Sequence, residues 1–164
     1  MKYKCIKNFL KKNDYNNFYN IINDKYFPWF YSDAQTMYVN KDRFFFYHNL
    51  FYEGEHSSPY CNIIDVFIKR LKIKKLLSAK LNLVTKDSSE KYISHLHVDN
   101  HVKKAKTAIY YINTNNGFTF LKADKNIKVL CEENKIFIFD SRIEHCVISQ
   151  TDTNKRMVLN LNYL

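Results

Sequence analysis

Glycine and proline are scarce in this chain, with two of each among 164 residues. No glycine- or proline-rich linker divides it, and no internal repeat or low-complexity segment stands out beyond a general excess of lysine and asparagine. No apolar run is long enough to span a bilayer, and lysines at positions 2, 4, 7, 11 and 12 leave no room for the apolar core of a signal peptide. Cys5, Cys61, Cys131 and Cys146 include no close pair of the kind that zinc sites use, and nothing marks a secreted disulfide framework. These absences predict a soluble, reduced, cytoplasmic protein with no membrane partner.

What the chain does have is apolar mass. Hydrophobic residues make up 46% of it and aromatics 16%, enough for one domain of 19.8 kDa to bury a real core. The formal charge of +10 would suit a nucleic-acid partner, but the lysines are scattered and form no single run, so compositional bias explains them better.

Residues 11–24 place Tyr15, Phe18, Ile21 and Ile22 at helical spacing, with Asn13 or Asp14 available as a cap. Phe27-Pro28-Trp29-Phe30-Tyr31 then predicts an extended aromatic segment, and Arg43 to Tyr52 a second aromatic strand, both read as core packing. After the Ser57-Ser58-Pro59 turn, residues 60–72 carry Ile63, Ile64, Phe67 and Leu71 in helical register, opposite Asp65, Lys69 and Arg70. From Leu76 the period changes to that of short strands, expected at 76–86, 92–97, 105–113, 117–122, 126–131, 135–140, 144–149 and 155–163, with a loop over residues 113–117. Eight short strands after two helices predict a mainly β fold, a two-sheet jelly roll (double-stranded β-helix, cupin-like) with the N-terminal helices backing one sheet. The expected division is a helical and aromatic support over residues 1–75 and a jelly-roll core over 76–164. In the last strand Met157, Leu159 and Leu161 form an apolar face, while Arg156, Val158, Asn160 and Asn162 look into a polar cavity.

The chemistry-bearing residues fall in this second half. On an extended chain His97 and Asp99 point the same way, roughly 6 to 7 Å apart at the backbone, so both can turn onto one metal ion. His145, on a later strand, can close the third corner. Two histidines and a carboxylate on one face leave positions open on a non-haem iron, whereas zinc would more often be closed by four ligands or carry a cysteine. Arg156 can meet the far end of a metal-chelating dicarboxylic acid through two parallel hydrogen bonds. Among the other histidines, His95 is expected at the pocket rim, His101 in an exposed loop, and His48 and His56 are weaker candidates to reach the pocket. Asp140 and Ser141 are expected to shape the turn into the strand of His145.

Residues 81–163 resemble the 2-oxoglutarate and Fe(II)-dependent oxygenases, most closely the small prolyl-4-hydroxylase-like members, including phage and viral ones. The resemblance rests on His97-Val98-Asp99-Asn100, Thr107-Ala108-Ile109-Tyr110-Tyr111-Ile112-Asn113, Asn116-Gly117, Ile138-Phe139-Asp140-Ser141 leading to His145, and Arg156-Met157-Val158-Leu159-Asn160. It implies an enzyme in which His97, Asp99 and His145 hold Fe(II), Arg156 binds the distal carboxylate of 2-oxoglutarate, and Tyr111 donates its hydroxyl to the same carboxylate. It also implies dioxygen as cosubstrate, ascorbate as a candidate reductant, and hydroxylation of an unactivated C–H bond as one oxygen atom goes into the decarboxylation of 2-oxoglutarate to succinate.

The chain departs from the family in places. Relatives often carry two glycines where this chain has Asn116-Gly117, a turn that Asn can hold in the left-handed conformation. Collagen-type members use Lys in place of Arg156, and a further cosubstrate-contacting Tyr falls near Val84, with Asn82 a partial substitute. A C-terminal segment that relatives use to grip a protein substrate is expected to be missing. The expected target is a protein or peptide. A nucleic-acid or small-molecule substrate ranks lower, since the nucleic-acid demethylases carry an additional Arg that does not follow Arg156. A non-catalytic, metal-binding or interaction jelly roll is the remaining alternative.

Overall fold

The computed structural model describes residues 3–33, 44–86 and 90–164. The N-terminal part supplies β1 (Lys4–Ile6), α1 (Lys12–Ile22), β2 (Phe30–Ser32), β3 (Phe45–Tyr52), β4 (Glu55–His56), a 3-10 turn over Cys61–Ile64 and α2 (Asp65–Leu71). The remainder is β5 (Leu76–Thr85), β6 (Lys106–Tyr111), β7 (Asn115–Leu121), β8 (Ile127–Cys131), β9 (Lys135–Asp140), β10 (His145–Ile148) and β11 (Lys155–Tyr163). Eight strands make one sheet in the order β1-β9-β6-β11-β5-β3-β2, with β4 hairpinned onto β3, and three make the other in the order β10-β7-β8. This is the two-sheet jelly roll that the strand pattern predicts, widened by β1 to β4.

Alternation in the central strands of the large sheet sets its two faces. Ala79, Leu81, Ala108, Tyr110, Leu159 and Leu161 point one way and join Phe18, Ile22, Ile64 and Phe67 of the helical layer in one buried cluster. The ring of Phe67 packs edge-on to Tyr110 at 4.8 Å and to Phe18 at 5.3 Å, so both helices rest on the middle of the sheet. The opposite residues, Ile109, Tyr111, Phe137, Phe139 and Val158, meet Leu121 and Val129 of the small sheet in a second cluster. The functional residues lie on this inner side.

Several local predictions need correction. Helix α1 is not capped by Asn13 or Asp14: its N-cap is Lys11, which makes no side-chain cap bond. The Arg43 start of the second aromatic strand lies outside the described residues, and β3 begins at Phe45. Residues 92–97 form no regular strand. They pair with β10 through two isolated bridges, Ile93 with Ile148 and His97 with His145, which differ in register by one residue. Between them the Val147 N–H donates to Ser94 Oγ (2.9 Å), a side chain standing where a ladder would use a backbone carbonyl.

The turn expected at Asn116-Gly117 is instead a bulge inside β7, where pairing with β8 shifts between Asn115 and Phe118. Asn116 is not left-handed. Gly117 is needed for close approach, because a Cβ there would stand 2.8 Å from Asn115 Oδ1 and 2.9 Å from the Ile148 carbonyl oxygen. With so little glycine, other residues take left-handed positions. Lys72 closes α2 at φ 53°, with Ile73 N–H donating to Ile68 O and Lys72 N–H to Lys69 O, the bonding usually built on glycine.

Candidate metal centre

His97 and His145 are fixed to each other by backbone before any side chain is considered. The His97 N–H donates to His145 O at 3.0 Å and the His145 N–H to His97 O at 2.9 Å, which sets the two rings side by side with centroids 4.4 Å apart. Asp99 follows two residues on, its N–H donating to Ser141 O at 3.2 Å. Donor atoms of His97, Asp99 and His145 therefore converge, all within 4.8 Å of one another.

The ring nitrogens are assigned by their partners. His97 Nδ1 lies 3.0 Å from His95 O and His145 Nδ1 lies 3.1 Å from Ile143 O. A carbonyl can only accept, so each Nδ1 carries the proton and each Nε2 presents its lone pair to the centre. Both Nε2 atoms face Asp99 Oδ1, at 3.7 Å from His97 and 3.6 Å from His145. Burial is the main cause that lowers the His145 pKa, helped by His97 and opposed by Asp99, and it favours the neutral ring that can bind a metal.

Asp99 divides its oxygens between two tasks. Oδ2 accepts from Thr107 Oγ1 at 3.0 Å and from Asn160 Nδ2 at 3.1 Å, leaving Oδ1 for the centre. Thr107 is wholly buried and also lies 3.1 Å from Ser141 Oγ and 2.7 Å from Asn162 Oδ1, so β6, β11 and the turn before β10 meet at one hydroxyl. The Asp140 carboxylate shapes that turn as expected, its Oδ1 accepting from the Arg142 N–H at 3.0 Å, and its pairing with the Arg142 side chain (2.8 Å) draws its pKa down to about 2.

A cavity of about 200 Å³ opens beside the triad, with Asn82, Val84, Arg156 and Val158 along its floor. The side chain of His97 is 31% exposed against 2% for His145, so the triad is reached from the His97 side. At the far end Arg156 is buried, its Nε donating to Cys131 Sγ at 3.2 Å. Its Nη2 is buried with no hydrogen-bond partner among the described residues, as are Asn82 Oδ1 and Asn160 Oδ1. A desolvated guanidinium nitrogen costs free energy unless something accepts from it, and a carboxylate is the acceptor whose shape it matches. Two imidazole Nε2 atoms, one carboxylate oxygen and an open arginine thus fit a divalent iron and a dicarboxylate.

Tyr111 lies against Arg156 with its ring centroid 6.0 Å from the guanidinium carbon, and its hydroxyl donates to Thr119 Oγ1 at 2.8 Å. The other histidines have separate roles. His95 is exposed and contributes its carbonyl to His97, and His101 is exposed. His48 is buried away from the cavity, its Nδ1 2.6 Å from Pro28 O and its Nε2 2.6 Å from Ser58 Oγ, tying β3 to the aromatic segment. His56 packs its exposed ring on Phe51. All four cysteines are free thiols. The residue that the sequence argument passed over is Lys80, which lines the cavity beside Asn160. The signal was present: in Ser78-Ala79-Lys80-Leu81-Asn82-Leu83, Lys80 has the parity of Asn82, opposite an apolar face.

No family model matches this chain, and no curated protein matches it. Solved structures do. A prolyl hydroxylase from Trichoplax adhaerens in complex with a hypoxia inducible factor oxygen degradation domain peptide fragment is similar with a TM-score of 0.70 at 16% identity, over 98% of this chain and 83% of that one. A 2OG-Fe(II) oxygenase family oxidoreductase from Burkholderia pseudomallei is similar with a TM-score of 0.75 at 9% identity, over 98% and 84% of the two chains. A Pseudomonas putida prolyl-4-hydroxylase is similar with a TM-score of 0.70 at 12% identity, over 98% and 91%. The shared property is the fold.

Proposed function

We propose that this chain, which folds as 2OG-Fe(II) oxygenases do, is itself a 2-oxoglutarate- and Fe(II)-dependent dioxygenase that hydroxylates an unactivated C–H bond on a protein or peptide. The observation that carries the reading is the pairing of a converged His97, Asp99 and His145 with a buried Arg156 Nη2 that has no partner among the described residues, at opposite ends of one cavity. Bound iron and 2-oxoglutarate would supply the activation of dioxygen. The protein's own contribution is placement and exclusion of water. His97 and His145 present neutral Nε2 atoms, each held by a carbonyl behind it, while Thr107 and Asn160 orient the Asp99 carboxylate. Arg156 takes the distal carboxylate of the cosubstrate, with Tyr111 beside it, and Val84 and Val158 keep that end of the cavity apolar. A peptide target draws support from the neighbour solved with a peptide.

The test is an anaerobic titration with Fe(II) and 2-oxoglutarate, watching for the visible charge-transfer band of the chelate. The wild type should show it, His97→Ala should lose it, and Arg156→Ala should need far more 2-oxoglutarate to form it. No band in the folded wild type would remove the oxygenase reading in favour of a non-catalytic module. Substrate screening then follows succinate release with ascorbate present.

A further inference from the structure

The cavity holds one cation more than the cosubstrate uses. With the triad and Arg156 assigned to the two ends of 2-oxoglutarate, Lys80 is left over. It lies on β5 opposite Asn160, the residue that orients Asp99, and four residues along the same face from Val84, which is opposite Arg156. Lys80 and Arg156 therefore stand at opposite ends of the floor, about 13 Å apart along the strands at ~3.3 Å per residue. Among the described residues the Lys80 side chain makes no hydrogen bond or ion pair. Its Nζ lies 5.8 Å from the ring centroid of Phe45, itself buried in the cavity wall.

Burial lowers the pKa of Lys80, against the pull of Asp99. The half-buried ammonium has no protein acceptor of its own among the described residues, and it stands at the metal end of the cavity where the reacting carbon must lie. The cavity is about 200 Å³, so a five-carbon cosubstrate would take up much of it and leave room at the metal end for a short group.

We propose that Lys80 is a specificity-determining residue that receives a carboxylate of the substrate, so that the reacting carbon belongs to a short acidic chain. The inference rests on the oxygenase reading. The carboxylate has two sources, an aspartyl or glutamyl side chain of a peptide or a free carboxylic acid, and Lys80 meets both with the same charge-assisted hydrogen bond.

The experiment uses protein loaded anaerobically with Fe(II) and 2-oxoglutarate and reads the shift of the charge-transfer band as four probes are added. These are a blocked glutamyl peptide, its glutaminyl counterpart, a neutral prolyl peptide and butyrate. Losing one charge-assisted hydrogen bond weakens binding by about ten- to a hundredfold, so the glutamyl peptide should bind that much more tightly than the glutaminyl one. Lys80→Met should abolish the difference, Lys80→Arg should recover part of it, and both variants should keep the wild-type affinity for 2-oxoglutarate. Binding of the glutamyl peptide without butyrate assigns the source as an acidic side chain, and butyrate binding as tightly as the peptide assigns a free acid. Equal affinities for the acidic and amide peptides overturn the proposal. So does tighter binding of the prolyl peptide, or a loss of 2-oxoglutarate affinity in folded Lys80→Met, which would give the lysine to the cosubstrate. Absence of the band before any probe is added is the separate failure of the oxygenase reading, and the proposal falls with it.

Discussion

Replacing Thr107 by valine removes one hydroxyl and almost no volume, yet it reaches the metal centre directly. The Thr107 hydroxyl has one proton for two acceptors, Asp99 Oδ2 at 3.0 Å and Asn162 Oδ1 at 2.7 Å; given to Asp99, it joins Asn160 Nδ2 (3.1 Å) on the same oxygen. A hydrogen bond to a charged group is worth about 1.5–3 kcal/mol, and outer partners of metal ligands typically account for about 10–100-fold in metal affinity. Because Asn160 still holds the same oxygen, the expected loss lies near the lower end, about tenfold in the dissociation constant for Fe(II). With its one proton given to Asp99, the hydroxyl can still accept from buried Ser141 Oγ at 3.1 Å, and losing that acceptor should cost the metal-free fold about 1–3 kcal/mol as well. Anaerobic calorimetry with Fe(II) gives the first quantity and denaturant unfolding of the metal-free protein the second. Wild-type affinity in a folded Thr107→Val protein would refute the view that this hydroxyl aims the carboxylate.

Two further expectations concern the metal-free protein. The His145 pKa lies below its usual 6.5, so the unfolded chain binds that proton more readily than the folded one. Stability should therefore be intact above 6.5 and fall as the pH drops through it towards the folded value, with a steeper slope in wild type than in His145→Gln; equal slopes in denaturation curves would contradict the assignment. Gly117→Ala places a methyl group 2.8 Å from Asn115 Oδ1 and 2.9 Å from a backbone carbonyl, and should cost about 1–3 kcal/mol in unfolding free energy. An unchanged denaturation midpoint would mean that the bulge can move aside.

Much of the site could be read from the sequence because its chemistry depends on parity and residue type. The alternation of Met157, Leu159 and Leu161 with Arg156, Val158 and Asn160 is the two-faced strand the structure contains, and the spacing of His97 and Asp99 survives as convergence on one point. What escaped the sequence depends on tertiary partners. The stretch over 92–97 has strand composition, yet Ser94 Oγ and a one-residue register slip break the ladder, and neither can be inferred without knowing what β10 offers opposite. Asn116-Gly117 reads as a turn because that pair usually is one, but the deciding contact is the Ile148 carbonyl, from a strand about 30 residues on. The carbonyls behind His97 and His145 belong to residues two positions earlier, so they were within reach in sequence, but only the backbone path shows that they point back at the rings.

The reciprocal backbone bonds between His97 and His145 bear on which ion the proposed site would take up. A pair of imidazoles locked in place by folding does not rearrange to suit an incoming metal, and a site of two nitrogens and one oxygen binds late first-row ions more strongly than Fe(II). At such a site nickel, copper and zinc would compete on better terms than iron. Occupancy is decided by which free ion the surroundings supply, and purification in air or over immobilised nickel would leave an intact fold carrying the wrong metal.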